Sequence, residues 1–170
     1  KVFLAQKHLI RACNLAGKPV MVTRVVDTMT DMPRPTRAEA TDVANLILDG
    51  ADGILLGSET FRGKFPVDTV KTVLAICKQA EVAFDSHTFY RSVMEYYGCY
   101  TLHPNLSKRE ALASSAVRAA AKIKAALIIV FTVTGNTARL VAKYKPAQPI
   151  LTVSGAVATC CRAGRAAGVA

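Results

Sequence analysis

Two short apolar runs constrain this chain more than any other feature: Val20–Thr23, and Gly53–Gly57 some thirty residues later. Each has no polar face, the pattern of a strand buried on both sides, which suits a parallel sheet covered by helices. Each also ends in a polar cluster. Thr23 and Arg24 follow the first run, and Ser58, Glu59, Thr60 and Arg62 follow the second. In parallel α/β architectures ligands bind at the carboxyl ends of strands, so the two clusters read as one wall of an active site.

The segments around these runs supply the helices. Val2 to Ala16 carries Val2, Ala5, Leu9, Ala12, Cys13 and Ala16 at the spacing of one helical face, with Gly17 as a left-handed cap and Pro19 as a stop. The stretch Asp27 to Pro35 is a Pro-, Asp- and Thr-rich loop. Thr36 and Glu39 form a capping box for a helix that buries Ala40, Val43, Ala44 and Ile47 and ends at Gly50. Pro66 opens a helix to about Phe84, with Val70, Val73, Leu74 and Cys77 inward. This alternation is the repeat of a (β/α) barrel.

From Phe84 to Pro104 aromatic and polar residues mix without period, as a helix plus a linker between domains. Ser107 and Glu110 form a second capping box, for an Ala-rich helix with Leu112, Ser115, Ala116, Ala119 and Ile123 as its inner stripe. A strand Leu127–Thr132, a turn at Thr134-Gly135-Asn136, a helix Thr137–Tyr144 and a strand Ile150–Val153 make a βαβ unit. The remainder is low-complexity Ala/Gly sequence. The expected divisions are barrel units over 1–86, a linker over 87–105, a partial α/β domain over 106–153 and a divergent tail over 154–170.

Composition narrows the function classes. The net charge of +10 raises a nucleic-acid reading, but the bases are spread evenly, with no basic run longer than Lys108-Arg109 and no interleaved aromatics. Scattered bases suit small phosphates and carboxylates, and no nucleic-acid partner is expected. No apolar run approaches the roughly 20 residues of a membrane span, and Lys1 leads directly into an amphipathic helix, so neither membrane nor signal peptide is expected. Five cysteines, odd in number and without CxxC spacing, point to a reducing, cytoplasmic compartment. His8, His87 and His103 show no ligand spacing, and Tyr90, Tyr96, Tyr97 and Tyr100 read as a satellite core or interface.

The run AGKPVMVTRVVDTMTDMPRPTRAEATDVANLILDGADGILLGSETFRGKFP closely resembles the last part of the barrel domain of pyruvate kinase. KVFLAQKHLIRACN and TVTGNTARLVAKYKPAQPIL fit the same family, so the resemblance covers roughly Lys1 to Val153; LLGSETFRG looks most like the plant cytosolic forms. It implies the C-terminal part of a (β/α)8 TIM barrel, followed by a partial α/β three-layer C-terminal domain. It implies phosphoryl transfer from phosphoenolpyruvate to ADP in glycolysis, with Mg2+ and K+ as cofactors and a homotetrameric parent. It also implies that the metal ligands and the lysine that stabilises the transferring phosphoryl group precede Lys1. On that reading this stretch alone is inactive. The alternative is a non-catalytic α/β module that binds phosphorylated metabolites or a full-length partner.

Carried over position by position, the resemblance makes Thr23 the threonine of the phosphoenolpyruvate pocket, associated with proton delivery to the enolate carbon. Arg24 stands where relatives often have Gln. Glu59 helps order the site, and Arg62 takes a position near nucleotide phosphates. The family's SGET is here Gly57-Ser58-Glu59-Thr60, with the hydroxyl moved by one residue. Arg34 and Arg37 flank a helix N-terminus and match a subunit contact beside the active site. Thr132, Thr134, Gly135, Asn136 and Thr137 match the loop that takes an effector phosphate. No metal ligand is assigned within the chain.

Overall fold

The computed structural model describes residues 1–98 and 106–155. They divide into two compact units, one of residues 1–14 and 19–84, the other of 15–18 and 85 onward.

The first unit runs α1 (Val2–Leu15), β1 (Met21–Thr23), a 3₁₀ turn (Asp27–Thr30), α2 (Arg37–Leu48), β2 (Gly53–Leu55), α3 (Ser58–Phe61) and α4 (Pro66–Ala83). The strands pair in parallel with Met21 opposite Gly53 and Thr23 opposite Leu55. Asp52 extends the pairing: its carboxylate accepts from the Val20 amide at 2.8 Å and its own amide donates to the Val20 carbonyl. The core gathers Ile10, Val26, Met29, Val43, Leu46 and Val73, with Val22 and Ile54 of the strands packed against it. Val43 and Leu46 are the buried residues of α2, where Ala40, Ala44 and Ile47 are only half-buried.

The strands are not buried on both faces as their composition suggested. Met21 and Leu55 are 56% and 57% exposed. A two-stranded sheet with helices packed on one side leaves alternate residues in solvent.

The expected helix faces also need correction. In α1 the buried residues are Ile10 and Asn14, while Leu9 is 65% exposed and Val2 lies in solvent. The Asn14 side chain donates to the Gly50 carbonyl at 3.1 Å, so a polar residue occupies the inner stripe. In α4, Thr69, Val73 and Ala80 are buried, and Val70 and Leu74 are exposed. The Thr69 hydroxyl is satisfied by the Phe65 carbonyl one turn earlier.

The second unit runs α5 (Ser86–Gly98), α6 (Lys108–Lys122), β3 (Ile128–Phe131), α7 (Asn136–Lys143) and β4 (Ile150–Val153). Strands β3 and β4 pair in parallel, Ile128 opposite Ile150, so the βαβ unit read from the sequence is present. Most of the stretch expected as linker is the helix α5, whose Val93 is buried in this core with Val117, Val130, Val141, Tyr144 and Ile150. Tyr90 stacks on Tyr144 at 5.5 Å between centroids, and Tyr96 meets Tyr97 edge-on. Tyr100 and His103, and the tail from 156, lie outside the described residues.

In α6 the buried stripe is Ala113, Ser114, Val117 and Ala120, one position from the expected one, and Leu112 is 72% exposed. Ser114 again is a satisfied polar residue, 2.8 Å from the Tyr90 hydroxyl. The second capping box is half formed. Ser107 accepts from the Glu110 amide, but the Glu110 carboxylate pairs with Lys143, a buried lysine that also donates to the Tyr97 hydroxyl. Gly17 has φ +62°, the left-handed conformation expected of a helix cap, and a side chain there would meet that of Lys143.

Candidate active site

Thr23 is the last residue of β1, and its side chain is exposed at the carboxyl end of the sheet. It opens onto a cleft of about 760 Å³ lined by Lys7, Thr23, Arg24, Asp27, Glu39 and Asp42 among others. Arg24 sits at φ +60°, an uncommon conformation for a residue with a side chain. Its guanidinium turns back to Asp27, with both Nε and a terminal nitrogen on one carboxylate oxygen at 3.3 and 3.1 Å. The extra cation next to the threonine is therefore paired within its own turn.

Glu39 is the most heavily bonded carboxylate of this site. It closes the capping box expected from the sequence, accepting from the Thr36 amide and hydroxyl at 2.9 Å. It also accepts from the Thr28 amide at 2.9 Å and from the Thr28 hydroxyl. Partial burial works against its charge, but the hydrogen bonds from Thr28 and Thr36 prevail and hold its carboxyl below the usual range.

The second wall is α3, a single helical turn. Glu59 within it is 0% exposed, and neither carboxylate oxygen has a hydrogen-bond partner among the described residues. Buried acids are nearly always paired, and an unpaired one is costly, so such a group marks a place where chemistry or a ligand is expected. The Thr60 hydroxyl is spent on the Gly57 carbonyl at 2.8 Å. Arg62 is exposed, its guanidinium 5.2 Å from the Phe61 ring centroid. Thr23 and Arg24 thus share one cleft, and Glu59 and Arg62 do not line it.

Two family models match the chain: pyruvate kinase, barrel domain, over residues 1–70, and pyruvate kinase, alpha/beta domain, over residues 110–170. The chain belongs to the pyruvate kinase family. Among relatives, "Pyruvate kinase 2, cytosolic" of Oryza sativa subsp. indica is 54% identical over 153 residues, 90% of this chain and 28% of the rice protein. The cytosolic isozyme of Glycine max is 50% identical over 154 residues, again 90% of this chain and 29% of that protein. A crystal structure of pyruvate kinase from Cryptosporidium parvum matches 99% of this chain and 33% of its own, with TM-score 0.89 and 41% identity. The same enzyme in complex with ADP matches with TM-score 0.84. The chain spans under a third of the length of these pyruvate kinases.

The remaining candidate residues do not line the Thr23 cleft. Arg34 and Arg37 are exposed on either side of Thr36, the N-cap of α2. In the second unit, Gly135 caps α7 at φ +82°, and its amide donates to the Thr132 hydroxyl at 3.0 Å. One hydroxyl and one amide of that loop are therefore used internally, while Thr134, Asn136 and Thr137 are exposed. Among the described residues, no group of three or more His, Cys, Asp or Glu side chains is placed to hold a metal ion. Sequence reading missed Asp27 and the full reach of Glu39. The Asp-Thr pair at the start of the Pro-rich loop was their only local signal.

Proposed function

We propose that this chain forms the end of the catalytic barrel and the start of the α/β domain of a cytosolic pyruvate kinase. The reaction transfers the phosphoryl group of phosphoenolpyruvate to ADP. The bond between phosphorus and the enol oxygen breaks, an ADP phosphate oxygen takes the phosphorus, and the enolate carbon takes a proton to give pyruvate. The observation that carries this reading is the 54% identity to a cytosolic pyruvate kinase over 153 residues, 90% of this chain.

Thr23 stands on the phosphoenolpyruvate side, and its exposed hydroxyl is suited to hold the water that delivers the proton. A neutral hydroxyl is too weak an acid to act alone. Glu59 is the acid that orders the site from the second wall, in keeping with its unpaired burial. Arg24 and Arg62 lie on the nucleotide side; Arg24, tied to Asp27, is the more fixed of the two. Arg34 and Arg37 serve a subunit contact of a homotetramer. The loop of Thr132, Thr134, Gly135, Asn136 and Thr137 is an effector-type phosphate site, its anion preference coming from a helix N-terminus.

Mg2+ and K+ supply charge neutralisation on the phosphoryl group, which is the larger part of such catalysis. On this reading their ligands and the phosphoryl-binding lysine lie in parts of the enzyme that this chain does not span.

The test has two arms in a lactate-dehydrogenase-coupled assay with phosphoenolpyruvate, ADP, magnesium and potassium. A full-length pyruvate kinase carrying residues 1–153 of this sequence in place of its matching segment turns over. The 170-residue chain by itself does not. An inactive chimera that folds and assembles overturns the reading.

A further inference from the structure

The two walls of the candidate site are joined by the stretch from Arg24 to Asp31, and this stretch contains little regular structure. Its centre is the 3₁₀ turn Asp27–Thr30, which packs against α3, the turn that carries Glu59. It is held at four places, three of them through side chains. Arg24 pairs with Asp27, and Glu39 takes both the amide and the hydroxyl of Thr28. The Lys64 amide donates to the Thr30 carbonyl at 3.0 Å, and its ammonium pairs with Asp31 at 3.1 Å. The two surface ion pairs contribute little by themselves. Glu39 is different, because each bond is charge-assisted and one carboxylate serves four donors.

A capping box requires only that Glu39 accept from the Thr36 amide. The extra bonds reach Thr28, eleven residues earlier in sequence, and they fix the register of the 3₁₀ turn against the N-terminus of α2. Resting on the function proposed above, we infer that Glu39 is a positioning residue of this active site. It clasps the Arg24–Thr30 turn, and through that turn sets the places of Thr23 on one side and of α3 with Glu59 on the other. It does so without touching substrate. A displacement of the order of 1 Å at such a turn is enough to lower catalysis by as much as about a hundred-fold.

The experiment separates the clasp from the cap. In the 170-residue chain, hydrogen exchange is read over residues 27–30 for the unmodified protein, Glu39→Ala, Glu39→Gln and Thr36→Ala. In the chimeric full-length enzyme, kcat and KM for phosphoenolpyruvate are read for the same set. The expected result is faster exchange over 27–30 and a fall in kcat/KM of about ten-fold or more for Glu39→Ala. Glu39→Gln keeps an acceptor for the Thr28 amide and recovers most of both. Thr36→Ala weakens the cap and leaves the exchange at 27–30 and kcat/KM near those of the unmodified protein. The inference is overturned if Glu39→Ala leaves exchange over 27–30 unchanged, or if Thr36→Ala reproduces its kinetic effect. An inactive unmodified chimera counts against the proposed function, and the exchange arm then still decides whether Glu39 holds the turn.

Discussion

Gly63 lies against the backbone of Glu59 so closely that a Cβ at position 63 would sit 2.1 Å from the Glu59 carbonyl oxygen. The contact is with main chain, which cannot swing aside as a long side chain does. Gly63 is thus what allows the α3 turn to fold back under α4 with its buried acid in place.

Gly63→Ala is therefore expected to destabilise the first unit by about 1–3 kcal/mol, the usual range for forcing an extra methyl into a packed site. Urea unfolding followed by far-UV circular dichroism reads this directly. Gly155→Ala, where a Cβ meets nothing within 4 Å, is the matched control and is expected to be neutral.

Lys143 and Glu110 form a buried ion pair, with 4% and 14% of their side chains exposed. Removing one partner strands the other, so Lys143→Met is expected to cost about 3–5 kcal/mol. The double replacement with Glu110→Leu is expected to regain most of that, because two apolar side chains of similar size need no partner. Thermal melts of the two single variants and the double variant check the prediction as a double-mutant cycle.

Acid should weaken both units in a defined direction. For Glu39, partial burial is outweighed by hydrogen bonds from Thr28 and Thr36, and its folded pKa lies below its ordinary 4.5. For Asp85, the bond from the Thr88 hydroxyl leads in lowering the carboxyl below its ordinary 3.8, and the His87 amide adds to it. Groups with depressed folded pKa values stabilise the protein above their unfolded values, and this contribution is lost as pH falls through the folded ones. Stability is expected to be flat from neutrality to about pH 5 and to fall below it, with a shallower fall for Glu39→Gln. Urea midpoints from pH 6 to pH 3 measure this; an unchanged slope in the variant counts against the Glu39 assignment.

Apolar side chains remain in solvent on both two-stranded sheets. Met21 and Leu55 are exposed in the first, and Ile129, Phe131, Leu151 and Val153 share one exposed face of the second. Contiguous apolar faces of this kind drive association. The 170-residue chain in isolation is expected to self-associate at micromolar concentration and to have low stability. Light scattering during urea unfolding tests this, and a monodisperse monomer with one cooperative transition and several kcal/mol of stability would refute it.

Several local features that depend on near neighbours follow the sequence. The capping box at Thr36 and Glu39, the left-handed Gly17 and the strand Ile150–Val153 all lie where the sequence puts them. So does the parallel order of each strand pair. Turn and cap chemistry is fixed by residues three or four apart, and an apolar run bounded by Gly and Pro has few other uses. The family, too, was legible in the PRPTRAEATDVAN run.

What the sequence by itself determined, then, is the order of the strands and longer helices, the caps at Gly17 and Thr36, and the polar clusters that end β1 and β2. Only the tertiary structure decided which helix face is buried. In α1, α4 and α6 the inner stripe includes Asn14, Thr69 and Ser114, each satisfied by a bond to a carbonyl or hydroxyl. A satisfied polar group costs little to bury, so apolar periodicity alone points one position astray. The same holds for Glu39 reaching Thr28, Glu110 leaving its cap for Lys143, and Glu59 lying buried. A carboxylate's partner is chosen by what the fold brings within about 3 Å, and chain spacing does not encode that distance.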